Sequence, residues 1–343
     1  MQTGPLAGPD GELLVGLPDD PPEGLFDRFY VNLHGRSEDV LVLLGGGVYP
    51  GSGIVDAWLI AVVDGVQRNA RFSTVLERPL RDVPGVGPFR WSAPDPAQRW
   101  RFDVDRNLTG VEVHADFVGR FPVFSYERLE FTSSGGVQTS FDHAVQSGRW
   151  AGEVVVDGRS VDVTGDWGQR DRSRGVRGMH AGAGFHLWMQ PQFEDWHVTL
   201  MYDESREGEP TLCEGAVITA DMTDAIVAVD HALSIDPDNE LTALRLTLHT
   251  ESGAEVVLDG RCPGPGGPYL QGGGYDGRHG RWVGLDHQSG ERWVLADEPT
   301  PRTLATPYAH RLTRFESGSE TGWGITEFSQ TRKPTYRYRP TKD

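Results

Sequence analysis

Hydrophobic residues along the chain recur every second position far more often than at helical spacing. Trp100, Phe102 and Val104 alternate with Arg101, Asp103 and Asp105. Val111, Val113, Ala115 and Phe117 alternate with Glu112, His114 and Asp116, and Leu244, Leu246 and Leu248 with Arg245, Thr247 and His249. Successive side chains of an extended chain point to opposite faces, so this pattern predicts strands with one buried face. Val40–Leu44 is a short continuous apolar run, and Gly45-Gly46-Gly47 reads as its end, because glycine weakens a strand interior. Val55–Val63 closes on Asp64-Gly65, which predicts a hairpin. A second hairpin is expected around Asp157-Gly158. Glu255–Leu258 reads as a strand ending on Asp259-Gly260. Arg281–Leu285 and Arg292–Leu295 read as strands flanking a turn at Gln288-Ser289-Gly290-Glu291. Met222–Leu233 has room for a helical turn, but Ile226-Val227-Ala228-Val229 favours a strand.

Composition strengthens this reading. Glycine (44), proline (23) and tryptophan (10) are all abundant, and they favour turns and pleated surfaces over helices. Many short antiparallel strands must hide their edges, and closure into barrels does so. The 343 residues exceed what one barrel needs. The expected fold is therefore all-β, with two antiparallel β-barrel domains in tandem. An N-terminal arm is expected over 1–24, a first domain over 25–170 and a second over 171–343. The heptapeptides EVVVDGR (153–159) and EVVLDGR (255–261) fit a pair of similar halves. A barrel of about eight strands can hold one small ligand or be filled by its own side chains.

Charge and cysteine content narrow the partners. Fifty acidic residues against 32 basic ones give a net charge of −18, which repels phosphate backbones and anionic lipid, so no nucleic acid is expected. The same surface also serves solubility. Cys213 and Cys262 form no CxxC pair and no disulfide framework. The N-terminal residues lack the basic and apolar regions of a secretory signal. No apolar run approaches the roughly 18 residues of a spanning helix. A cytoplasmic protein without stable membrane insertion is expected. GxSxG, HExxH, Walker and dinucleotide-binding motifs are absent, and the eleven histidines are scattered, so no metal is expected. The sequence sets no oligomeric state.

Three places carry candidate chemistry. Gly165–Arg177 (GDWGQRDRSRGVR) holds Arg170, Arg172, Arg174 and Arg177 with Asp166 and Asp171 between the two halves. Forked guanidinium–carboxylate bonds there would rivet the domains; alternatively Arg170 and Asp171 sit at a pocket mouth and bind substrate. On the strand within GFHLWMQ, His186, Trp188 and Gln190 share one face. This set is either a core strand with a hydrogen-bonded histidine or an imidazole beside a cation-attracting indole. Asp56 and Trp58 pair an acid and an indole in the same way.

These segments give the chain its family look. GDWGQRDRSRGVRG, the His-x-Trp strand, the charged turn Phe193-Glu194-Asp195, and FYVNLHG followed by VYPGSGIVDAW resemble the carotenoid 1,2-hydratases (hydroxyneurosporene synthases) and their AttH-like relatives. The resemblance implies two lipocalin-like barrels in tandem, acting without metal or organic cofactor on hydrophobic, terpenoid- or polyketide-like substrates. Hydration, proton-initiated cyclisation and pericyclic closure are the implied reactions, with a non-catalytic carrier of hydrophobic small molecules as the alternative. His186 and Trp188 match the family's His-x-Trp pair, and its later acidic residue falls near Glu214. The junction departs from the hydratase form at Gln169-Arg170-Asp171-Arg172. A protonated acid in an apolar setting and an aromatic wall for a carbocation make this chemistry coherent; Glu214 and Trp188 would supply them.

Overall fold

The computed structural model describes residues 20–35, 40–76, 85–132, 138–176, 184–238, 240–264, 266–270, 280–297 and 308–330. Most of the arm expected over 1–24 lies outside them. The described residues contain 22 strands and no helix. The first half holds β1 (Leu25–His34), β2 (Val40–Tyr49), β3 (Ile54–Val63), β4 (Val66–Val75), β5 (Gly85–Val86), β6 (Phe89–Asp95) and β7 (Arg99–Val104). It continues with β8 (Val111–Gly119), β9 (Phe124–Ser125), β10 (Leu129–Thr132), β11 (Gln138–Val156), β12 (Arg159–Asp162) and β13 (Trp167–Val176). The second half holds β14 (Phe185–Met189), β15 (Trp196–Glu204), β16 (Pro210–Thr219), β17 (Thr223–Ile235), β18 (Leu241–Thr250), β19 (Glu255–Arg261), β20 (His287–Val294), β21 (Ala309–Ser317) and β22 (Glu320–Gln330).

The all-β antiparallel expectation holds. β14 to β19 close with β21 and β22 into an eight-stranded barrel, and the first half forms a half-barrel in order β20-β4-β3-β2-β1-β13-β11-β8-β7-β6-β5. β20 leaves the barrel half and pairs with β4 from His287↔Ser73 to Val294↔Val66. The two halves thus share a strand. Pairing along its whole length also removes the turn expected at Gln288–Glu291. β13 lies wholly in the first sheet, paired with β1 and β11. The division drawn between 170 and 171 falls inside this strand, and the chain changes sheets between Val176 and Phe185.

Each half fills its own interior. Phe29, Val31, Trp100, Phe102, Phe117 and Trp150 anchor the half-barrel core; Phe185, Leu187, Met189, Leu200, Leu246 and Phe315 fill the barrel. Burying one such side chain contributes about 1.5–3 kcal/mol, so the barrel has a packed centre in place of a ligand chamber. A third cluster, including Tyr30, Leu43, Trp58, Trp188, Met201 and Ile325, joins the outside of the barrel to the outer face of the first sheet. This explains the unbroken run of β3, which is buried at all ten positions. Its Val55, Ala57 and Leu59 enter the half-barrel core, while Trp58, Ile60 and Val62 meet the barrel.

Two local readings change for the same reason, which is contact across the sheet. Gly45, Gly46 and Gly47 lie inside β2 and do not end it. A Cβ at Gly45 would lie 2.4 Å from the Trp58 indole, and one at Gly46 2.8 Å from the Phe29 ring. The glycines make room for aromatic rings on both faces. The heptapeptide echo also dissolves. Asp157-Gly158 forms a hairpin turn with positive φ at both residues, whereas Asp259-Gly260 continues strand β19 and pairs with Arg245 and Leu244.

Candidate active site

The strand β14 alternates as expected, but its chemistry faces outward. Phe185, Leu187 and Met189 enter the barrel interior, so His186 and Trp188 point towards the first sheet. Strand register sets His310, Glu327, Trp188, Met201 and Glu214 in one row across β21, β22, β14, β15 and β16. With strands about 4.8 Å apart, Trp188 and Glu214 stand roughly 10 Å from each other along this row. Opposite them, Tyr30 on β1 and Trp58 on β3 flank Gly45.

Trp188 is the centre of the arrangement. Its ring lies 5.8 Å from Tyr30 and 5.6 Å from His143, centroid to centroid. Its indole N–H donates to the Tyr126 hydroxyl (3.1 Å), which lies 2.6 Å from Thr199 Oγ1. Tyr30 in turn meets Trp58 at 6.2 Å. The structure therefore brings the two candidate indoles, Trp58 and Trp188, to either side of one tyrosine.

Two proton-handling pairs flank this indole. On one side His143 Nε2 lies 3.2 Å from Asp171 Oδ2, and Asp171 Oδ1 also accepts the Tyr30 backbone N–H. On the other, Tyr30 Oη lies 2.9 Å from His310 Nδ1 and accepts from Asn32 Nδ2 at 3.1 Å. His310 Nε2 sits 2.5 Å from Glu327 Oε2, an ion-pair contact off the hydrogen-bond axis. Glu327 Oε1 is 3.1 Å from His186 Nε2, and His186 Nδ1 is 2.5 Å from Asp203 Oδ1.

The electrostatics follow from these contacts. Burial disfavours the His186 imidazolium, but the Asp203 and Glu327 carboxylates outweigh it and raise its pKa to about 10. Burial favours neutral Glu327, yet His310 and His186 hold its carboxyl well below the usual range. Glu214 behaves oppositely. Burial raises its pKa, opposed in part by the Glu127 backbone N–H that it accepts.

The other candidates scatter. Gln190 is buried beside the Tyr126 hydroxyl, with neither amide atom in hydrogen-bond geometry to any described group. Asp56 accepts the Gly280 N–H at 2.8 Å. Arg170 turns away from the barrel. It donates to Gln146 Oε1 (3.0 and 2.6 Å) and Pro96 O (2.8 Å), and lies over the rings of Trp100 and Phe117. All of these belong to the half-barrel, so Arg170 does not rivet the domains. Burial, with Arg172 nearby, lowers its pKa to about 9. The strong ion pair of the junction is Arg172 with Asp27, also inside the first half. Besides the Tyr30, Tyr126 and Glu127 contacts described above, polar contacts between the halves include Arg120 to Phe193 O, Gln192 to Gly168 O, and Ser147 to His197.

Sequence reasoning missed Tyr30, Tyr126, His143, Asp203, His310 and Glu327. Its histidines looked scattered, yet His143, His186 and His310 meet on this one face. Among the described residues no group of three or more His, Cys, Asp or Glu side chains is arranged to hold a metal ion. A cavity of about 240 Å³ opens further along the same face, lined by Leu41, Val62, Leu312, Leu295 and residues 263, 264 and 266–268.

A closed barrel joined through an aromatic, histidine-bearing outer face to a half-barrel makes this a tandem β-barrel protein of the AttH-like fold. The chain belongs to the family of unknown function DUF8625, whose model matches residues 19–331. It superposes on the AttH-like protein of Nitrosomonas europaea with a TM-score of 0.61 at 11% identity, covering 94% of this chain and 98% of that one. Kievitone hydratase from Nectria haematococca gives a TM-score of 0.52 at 11% identity, covering 96% of each chain. No curated protein sequence matches the chain.

Proposed function

We propose that the chain is a lyase or isomerase of hydratase or cyclase type, acting on a hydrophobic small molecule at the face between barrel and half-barrel. One observation carries the reading. Trp188 stands between two histidine pairs, His143–Asp171 and His310–Tyr30, contributed by both halves. Titratable groups gathered on aromatic walls are what acid–base chemistry on an apolar substrate needs. That a hydratase shares the fold supports the class. The narrower likeness to carotenoid hydratases rests on His186, Trp188 and Glu214.

In this reading Glu214, whose acid form burial favours, protonates the substrate, and Trp188 faces the developing cation. His143, oriented by Asp171, takes up the proton that water or the substrate releases. His186 has both ring nitrogens engaged by carboxylates, so it positions Glu327 and does not touch substrate. Gln190, with its amide unpaired, receives a polar group of the substrate. Side chains alone supply these roles, without metal or organic cofactor. The terpenoid or polyketide character of the substrate belongs to the proposal.

The carrier alternative has one observation in its favour, the cavity of about 240 Å³ partly lined by Leu41, Val62, Leu295 and Leu312, while the filled barrel interior speaks against a lipocalin-style chamber. Mass spectrometry of molecules extracted from the purified protein, followed by incubation of the identified ligand in D₂O and H₂¹⁸O, separates the cases. Hydration adds labelled oxygen, and proton-initiated cyclisation adds one deuterium at carbon. Pericyclic closure gives an unlabelled isomer. A ligand returned unchanged establishes a carrier and overturns the enzymatic reading.

A further inference from the structure

The contacts of Tyr30 lead outward as well as inward. His310 is fully buried, whereas His186 and Asp203 retain about a fifth of their side-chain exposure, 19% and 21%. Between them the spacing never exceeds 3.1 Å: Tyr30 to His310 at 2.9 Å, His310 to Glu327 at 2.5 Å, Glu327 to His186 at 3.1 Å, His186 to Asp203 at 2.5 Å. The residues come from β1, β21, β22, β14 and β15, so the line crosses from the half-barrel through three barrel strands to the fourth. A purely structural role would be served by one buried pair. Four alternating acid and base groups that end at solvent need a different explanation.

We propose that Asp203, His186, Glu327 and His310 form a proton relay that connects solvent to the Tyr30 hydroxyl beside Trp188. Each imidazole can accept at one nitrogen and release at the other, and Glu327 does the same with its two oxygens. When Tyr30 gives up its hydroxyl proton, His310 replaces it from Nδ1 while the Glu327 carboxylate, in one concerted shift, takes the His186 Nε2 proton on one oxygen and delivers a proton to His310 Nε2 from the other. His186, left neutral, regains a proton from water at Asp203, and each imidazole returns to its starting tautomer by turning its ring. One proton enters from solvent for each one consumed, and no other bond changes. Tyr30 thereby becomes the proton-exchanging group on the half-barrel side of Trp188. The use of this relay rests on the function proposed above; its existence does not.

The test needs no substrate. In the full chain labelled with ¹⁵N-histidine, NMR measures solvent exchange of the His310 ring N–H against that of the backbone amides of β21. The relay predicts that the ring proton exchanges at least tenfold faster than those amides, despite zero exposure. His186→Phe should slow it tenfold or more while leaving amide protection unchanged, and added imidazole should restore exchange in His186→Ala. Asp203→Asn gives the same comparison if the His186 variants do not fold. Equal His310 exchange in wild type and both interrupted variants, or exchange that tracks the backbone amides, overturns the relay. If exchange fails these tests while an identified ligand is still turned over, the relay falls and the proposed function stands. If exchange passes and no ligand is converted, the reverse holds.

Discussion

Asp27 and Arg172 give the sharpest energetic prediction. Arg172 Nε and Nη2 reach Asp27 Oδ1 and Oδ2 at 2.9 and 2.7 Å, and the two residues are 1% and 3% exposed. Removing one partner of such a pair leaves an ion in a medium that solvates it poorly, at a cost of about 3–5 kcal/mol. Unfolding entropy for a chain of this length is about 0.7 kcal/mol/K, so Asp27→Ala should lower Tm by about 4–7 °C. The exposed pair Arg245–Asp259, with side chains 61% and 49% exposed, is the internal control. There Asp259→Ala should cost less than about 1 kcal/mol. Replacing both members, Asp27→Leu with Arg172→Met, should recover most of the loss, because the desolvation penalty disappears with the charges. Urea unfolding followed by tryptophan fluorescence measures all four proteins. If Asp27→Ala costs no more than Asp259→Ala, water reaches the pair and the argument from burial fails.

The remaining predictions concern pH and the indole. The folded pKa of His186, about 10, lies above the ordinary 6.5, so its contribution is full below pH 6.5 and disappears as pH rises through 10. His186→Gln should flatten that alkaline loss in pH-dependent unfolding; an unchanged slope would mean the carboxylates do not hold the charge. His34 and His197 are lowered by burial to about 4 and about 3. Stability should therefore also fall as pH drops below 6.5, and the His186 variant should leave that acid limb intact. Once a ligand is identified, Trp188→Phe should retain part of its turnover and Trp188→Ala should lose most of it. Equal losses would shift the role from the aromatic face to the indole N–H that Tyr126 accepts.

Strand character was legible wherever one face is buried. The alternation of Trp100–Val104 reappears as strand β7 with buried and half-exposed positions in turn. It was illegible where both faces are covered or where a partner lies far away in sequence. Gly45–Gly47 looked like an ending because the rings that require glycine there, Trp58 and Phe29, are not neighbours in the chain. β20 looked like a hairpin because its partner, β4, lies more than 200 residues earlier. The site shows the same division. His186 and Trp188 could be placed on one face from spacing alone, but Tyr30, His143 and His310 each sit in a different strand. Density of charge around Arg170 points to an interface in the sequence, but charge density alone does not say which groups the charge will meet. In the structure the Arg170 guanidinium is spent on the half-barrel's own carbonyls and rings.

Part of the site has a property that sequence does show. Tyr30, His186 and Asp203 occupy alternate positions of strands whose other positions are mainly apolar, whereas the positions alternating with His143, His310 and Glu327 include Gln146, Arg311 and Thr326. In a single barrel such positions face water and carry no information. In a chain whose second barrel is filled, and whose first sheet is apolar on both faces, the outward positions must meet another surface. A histidine or acid there is desolvated and must find a partner. The candidate chemistry is thus a consequence of docking two sheets by their outer faces. A substitution that loosens this docking, such as Ile325→Ala in the shared cluster, should raise solvent access to His310 without disturbing the barrel core, which hydrogen exchange at β21 and β18 would resolve. Uniform loss of protection across both strands would show instead that the interface and the barrel unfold as one unit.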